Sequence, residues 1–242
     1  MTRIILIVLS LSCSYLSIAQ INLKKVLQER DADTLKKYYE NADEKRGYSS
    51  LWRLYREVIA GYSEGKVYFY DDKTERSFDI DFLSYRSAIF YWTITEYAFD
   101  NHTNASKTYG IDSFCDPTKF ANFETNFATI YKVPLVRTDL FKILTYSLDG
   151  CGPLPKECYE MQKMVSTNDT ASLQKWLRSA NAEKQLYAIA ESIALKKNYH
   201  HIDPETQRII MVIGKKSGIT STCNGCLMYH TPIAKIVKDL IK

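Results

Sequence analysis

The chain has 242 residues, with 32 Lys and Arg against 28 Asp and Glu, a net charge of +4, and hydrophobic residues making up 45 %. That length permits one large domain or two small ones, with enough chain for a real core. The charges are spread along the sequence and no basic cluster is interleaved with aromatics, so nucleic acid is not an expected partner.

The chain opens on Met1-Thr2-Arg3, followed by the apolar run Ile4 to Leu11 and by Ser17-Ile18-Ala19. A cationic start, an apolar stretch and small residues at the −3 and −1 positions are the order of a secretory signal, so residues 1–19 read as a leader cleaved after Ala19. The run is too short, and too broken by serine, to span a bilayer. A lipoprotein anchored through Cys13 is the weaker reading, because Ser10 stands where a lipobox usually has Leu. No later segment reaches transmembrane length, so the expectation is a secreted or periplasmic protein without an integral membrane segment.

Helical spacing dominates the chain beyond the leader. Asp33 can cap a short helix, and Tyr48, Leu51, Trp52, Tyr55, Val58, Ile59 and Tyr62 recur at i, i+3, i+4, i+7, with Arg53, Arg56 and Glu57 on the opposite side. Over 66–82 the pattern alternates instead, which predicts a small β-hairpin insertion. The aromatic stretch from Leu83 to Phe99 reads as a central buried helix. Asp116-Pro117 starts a helix that ends before Pro134, Thr138 or Asp139 starts another through Leu148, and a third runs from about Lys156 to Val165. Thr170–Ser179 and Ala182–Lys197 form a helical pair joined at Ser179-Ala180-Asn181. Asp203-Pro204-Glu205 opens a further helix. The last helix buries Ile233, Ile236, Val237 and Leu240. Successive helices with short links predict an all-α fold, arranged as an irregular α–α superhelix. The expected division is a leader at 1–19, a helical region over 20–165, and a second over 166–242 packed on it as one continuous domain.

The segment Ser172 to Glu191, with its Asn181-containing turn and the small residues Ala188 and Ala190, resembles a HEAT/armadillo-type unit. The resemblance is limited to about residues 170–240. Ala182 stands where proline is common in such turns, and Gln185 where arginine is frequent. No fixed period continues upstream of Thr170. What the resemblance implies is a scaffold for binding, not an activity.

Cys115, Cys151, Cys158, Cys223 and Cys226 remain after export, and an oxidising compartment makes disulfides the default. Cys151 and Cys158 flank the Gly150–Pro155 turn cluster. The Asn-Gly between Cys223 and Cys226 favours a turn tight enough for a bridge. Zinc held by Cys223, Cys226 and His230, with His200 or His201 as a fourth ligand, is the sharper but less supported reading. No nucleophile elbow, His-Glu-x-x-His or phosphate loop is present, and no cofactor is expected. Asp79 and Asp81 alternate as the solvent face of a strand. Tyr68, Phe69 and Tyr70 do not fit helix packing and mark a candidate recognition surface. Three glycosylation sequons begin at Asn101, Asn104 and Asn168. Together these readings point to an exported, non-enzymatic binding or scaffold protein for a protein, peptide or glycan. The alternative is a thiol- or zinc-dependent enzyme built around Cys223 and Cys226.

Overall fold

The computed structural model describes residues 24–40, 48–71, 76–100, 105–147, 155–196, 199–224 and 227–242. Residues 1–19, expected to be a leader, and Cys13, Cys151 and Cys226 lie outside them. The fold is mixed α and β, which overturns the all-α expectation. A helical turn over 24–28 and α1 (Ala32–Glu40) precede five consecutive antiparallel strands: β1 (Tyr48–Ile59), β2 (Tyr62–Asp71), β3 (Arg76–Tyr85), β4 (Ala88–Asp100) and β5 (Ala105–Cys115). Beyond the sheet come α2 (Pro117–Tyr131), a 3-10 turn (Arg137–Asp139), β6 (Thr145–Tyr146), α3 (Lys156–Ser166), α4 (Thr170–Leu177), α5 (Ala182–Lys196) and α6 (Pro204–Ile213). A hairpin of β7 (Ile219–Asn224) and β8 (Leu227–Pro232) and the closing α7 (Ile233–Leu240) complete it. β7 pairs parallel with β6 and antiparallel with β8 in a second, three-stranded sheet. No helix among the described residues is long and apolar enough to cross a membrane.

The helix expected over Tyr48–Tyr62 is strand, and so is the one expected over Leu83–Phe99. The physical cause is irregular register. β1 shifts between Trp52 and Leu54 and again between Glu57 and Ile59. Each bulge adds one residue and flips the phase of a period-two pattern. Leu54, Arg56 and Val58 are buried in alternation, and Ile59 is then buried beside Val58. Two phase breaks in twelve residues turn alternation into apparent helical spacing. In β3 and β4 both faces are covered over part of their length, so the apolar residues fall on all sides. The β-branched and aromatic content there (Ile89, Phe90, Tyr91, Trp92, Thr93, Ile94) agrees with strand. The β-hairpin expected as an insertion over 66–82 is the central part of this large sheet.

One sheet face carries Val67, Phe69, Phe78, Ile80, Phe82, Trp92 and Ile94, and Leu27, Ala32 and Leu35 of the N-terminal helical segments cover it. Gly65 lies directly under Phe82: a Cβ there would sit 2.1 Å from the ring. The opposite face meets the helical layer only near the β1–β2 and β3–β4 turns. There Val58, Ile59, Leu83 and Phe90 pack with Phe120, Phe123 and Phe127 of α2 and with buried residues of α5, α6 and α7. Each such aromatic removed from water contributes about 1.5–3 kcal/mol.

Of the caps read from the sequence, those at Asp116 and Asp203 form, whereas Asp33 lies in the first turn of α1 and Asp31 caps that helix by accepting the Thr34 N–H at 2.6 Å. Asp116, Asp169 and Asp203 accept from the backbone N–H of Lys119, Ser172 and Thr206 at 3.1, 3.0 and 2.9 Å, with Pro117 and Pro204 at the first helical positions. Asn181 caps α5 through Lys184 N–H at 3.0 Å. The helix expected from Thr138 or Asp139 through Leu148 is instead the 3-10 turn and β6. The HEAT/armadillo resemblance is not sustained either. α4 and α5 do form a helical pair, but β7 and β8 interrupt what would be the next unit, so no repeat stacks on it among the described residues. The superhelical surface it implied does not form there.

Gly218 joins the two sheets. It bridges to Arg56 at a φ of +103°, and Glu57 N–H donates to Ser217 O at 3.0 Å. A Cβ on Gly218 would lie 2.5 Å from the Arg56 Cα, a backbone atom that cannot rotate away. Gly218→Ala is expected to lower stability by more than about 2 kcal/mol, combining left-handed strain with a steric clash. A urea unfolding midpoint equal to wild type would refute this.

Candidate functional site

The chain's least expected feature is a set of charges buried where the sheet meets the helices. Arg56 comes from β1, Glu64 from β2, Glu183 and Gln185 from the first turns of α5, Lys216 from the loop after α6, and Thr220 from β7. Arg56, Glu64, Glu183 and Lys216 are only 1, 0, 1 and 4 % exposed. Arg56 Nε donates to Glu64 Oε1 at 2.8 Å, its Nη1 to Glu183 Oε1 at 2.6 Å, and its Nη2 to the Lys142 carbonyl at 3.2 Å. Phe141 N–H serves the other Glu64 oxygen at 2.6 Å, and Thr220 Oγ1 donates to Glu183. Lys216 Nζ donates to Gln185 Oε1 at 2.8 Å and stands over the Tyr131 ring.

Burial sets the protonation balance. It works against the Arg56 guanidinium, but Glu64 and Glu183 overcome it and leave that group above its ordinary value. Burial pushes the Glu64 carboxyl up, opposed by Arg56 and the Phe141 N–H. It drives the Lys216 ammonium down to about 7, helped by the positive charge of Arg56. Glu183 Oε2 is buried and accepts no hydrogen bond.

The network reaches a neighbouring cleft through the Lys142 carbonyl. The segment over 133–142 crosses α4 and the start of α5, enclosing about 820 Å³. Lys142, whose carbonyl is held by both Arg56 Nη2 and Asn181 Nδ2 (3.0 Å), lines it. Trp176 lies among the lining groups with Lys184 Nζ 5.8 Å from its ring centre. Among the described residues Asp139 is the only acid along the cleft. It is occupied by Lys184 Nζ at 2.7 Å and Ser179 Oγ at 2.6 Å. With Lys184 paired to Asp139, three further cations (Lys142, Lys175, Arg178) line the cleft. Arg178 is turned toward Gln174, whereas Lys142 and Lys175 form no ion pair among the described residues. Ser179 is buried, and its oxygen accepts the Asn181 N–H while its proton goes to Asp139. That arrangement is a staple holding the turn before α5.

The sequence-marked residues scatter. Cys158 is a free, buried thiol, so no Cys151–Cys158 bridge exists, and Cys115 is free and exposed. Burial raises the Cys158 thiol above its usual value. Cys223 is disulfide-bonded, and Cys226 lies outside the described residues. His230 is exposed on β8. Among the described residues no group of three or more His, Cys, Asp or Glu is gathered to hold a metal ion. Of the tyrosine run, Phe69 is core, Tyr70 half-buried, and Tyr68 faces the open side of the sheet. Neither the network nor the cleft was visible as a site in the sequence. A usable signal exists only once β1 is read as a strand, because Arg56 then alternates with Leu54 and Val58 as an inward position. No protein-family model, no curated protein and no solved structure matches this chain.

Proposed function

We propose that this chain is an exported binding protein, and that the cleft between residues 133–142 and α4 holds a carboxylate-bearing peptide segment of its partner. The observation carrying this is the unbalanced charge of a roomy, part-aromatic cleft: Lys142 and Lys175 project there without acidic partners among the described residues. A concave site of several hundred Å³ with a few convergent polar groups is the usual form of a ligand site. Lysine paired with an incoming carboxylate supplies charge-assisted hydrogen bonds. Support for export is the leader-like order of residues 1–19. A thiol enzyme at Cys223 loses support because that sulfur is already in a disulfide.

Titration of the purified protein with an oligoglutamate peptide tests the reading. Binding is expected to weaken as salt rises. It is also expected to fall about tenfold, 1.4 kcal/mol, in the Lys142→Glu/Lys175→Glu variant. Undetectable binding to wild type, or equal binding by the variant, overturns it.

A further inference from the structure

The polar face of the large sheet carries a second cavity, on the side of β2–β4 away from the N-terminal helices. Strand alternation places Tyr68 of β2, Ser77 and Asp79 of β3 and Tyr97 of β4 on one face, with Tyr68 opposite Asp79 and Ser77 opposite Tyr97. The bulge between Trp52 and Leu54 adds Arg53 from β1. These five residues line about 350 Å³.

Asp79 is 7 % exposed, and its two oxygens are treated unequally. Tyr97 Oη donates to Oδ2 at 3.2 Å, and Lys66 Nζ stands 3.5 Å from it. Oδ1 is buried and accepts no hydrogen bond; its nearest cation, Arg53 Nη1, is 3.8 Å away. A buried carboxylate oxygen without a donor is unfavourable, and a ligand hydroxyl cures it. Arg53 rests on the Tyr68 ring at 4.4 Å and is itself more than a third exposed. With Arg53 itself exposed and 3.8 Å from the carboxylate, the pair is loose, so the guanidinium is readily displaced.

The charge balance selects the ligand class. Arg53 and Lys66 offset Asp79 and Asp81, the latter held by Lys66 at 2.8 Å. Net attraction for an ion is therefore lacking. Donors and acceptors are instead mixed over a short span: the Arg53 guanidinium, the Tyr68 and Ser77 hydroxyls (2.9 Å apart), the Tyr97 hydroxyl and Asp79 Oδ1. Adjacent hydroxyls on one ring match such a mixture, and the apolar face of that ring packs on tyrosine. We infer that Arg53, Tyr68, Ser77, Asp79 and Tyr97 form a site for a neutral polyhydroxylated ligand the size of one sugar residue. One hydroxyl donates to Asp79 Oδ1 in the place beside Arg53, and the displaced guanidinium donates to a neighbouring sugar oxygen.

NMR titration of the full chain with D-glucose, D-galactose, D-mannose and N-acetyl-D-glucosamine tests this site apart from the cleft. Saturable binding of at least one neutral sugar is expected, with shifts confined to β1–β4. The Lys142→Glu/Lys175→Glu cleft variant is expected to bind it unchanged. Asp79→Asn, nearly isosteric, is expected to weaken it about tenfold or more. Tyr97→Phe, which removes a single hydroxyl, is expected to give a smaller loss and serves if Asp79→Asn does not fold. No saturable binding by any of the four sugars overturns the inference. So does unchanged affinity in the Asp79 and Tyr97 variants, or tighter binding of D-glucuronate or D-glucosamine than of every neutral sugar.

Discussion

Arg56→Met is expected to destabilise the protein by about 3–5 kcal/mol, the range for removing one partner of a buried ion pair. Methionine keeps much of the buried volume of the arginine stem, so the loss comes from what is left behind. Glu64 and Glu183 remain buried, and each loses its guanidinium contact. The Lys142 carbonyl also loses one of its two donors, which loosens the cleft wall. Removing the acids as well, in Arg56→Met/Glu64→Gln/Glu183→Gln, is expected to restore part of the loss, because the uncompensated charge goes with them. Urea unfolding of both variants measures the two effects. A loss below about 1 kcal/mol in the single variant would show that Arg56 does not compensate these acids.

The second large effect is pH-dependent and belongs to Lys216. Its ammonium titrates near 7 in the folded chain against an ordinary value of 10.5. Burial is the first cause and Arg56 the second, with Glu57, Glu64 and Glu183 acting the other way. Between those two values the unfolded chain binds the proton and the folded chain does not, so stability rises with pH across that window. Below about 7 both states are protonated and the full penalty applies. The slope for one proton is about 1.4 kcal/mol per pH unit. Lys216→Met is expected to abolish this slope. The variant is therefore more stable than wild type near pH 7, and the gap narrows steadily toward pH 9. Its advantage is trimmed by about 1–3 kcal/mol, because Gln185 Oε1 loses its donor. Parallel slopes for the two proteins between pH 7 and 9 would contradict the assignment.

Legibility in the sequence was uneven, for physical reasons. Asp116-Pro117 and Asp203-Pro204 announced helix starts correctly because capping is local: one side chain, one or two N–H groups, three residues apart. The face of α7, with Ile233, Ile236 and Val237 buried and Lys235 and Lys238 turned out, was equally plain. The region from Tyr48 to Phe99 was misread because its strands carry bulges and are covered unevenly. Both effects corrupt the period that distinguishes strand from helix. The bridge expected between Cys151 and Cys158 was inferred from spacing alone. Its failure shows that proximity in sequence does not place a thiol, since Cys158 is buried in the helical core instead.

What the sequence by itself determined are the local features: helix caps, the α4–α5 pair, the amphipathic last helix, and the alternation that sends Asp79 and Asp81 to one side of a strand. What only the tertiary structure decided is which distant residues share a dielectric environment. Arg56 and Glu183 are 127 positions apart, and Glu57 meets Ser217 across 160. An arginine in a sequence reads as solvent-facing. It becomes a buried keystone only when two carboxylates and a carbonyl from other elements arrive around it. The cleft has the same origin, because its excess of positive charge arises only when residues 133–142 are brought against α4 and the start of α5.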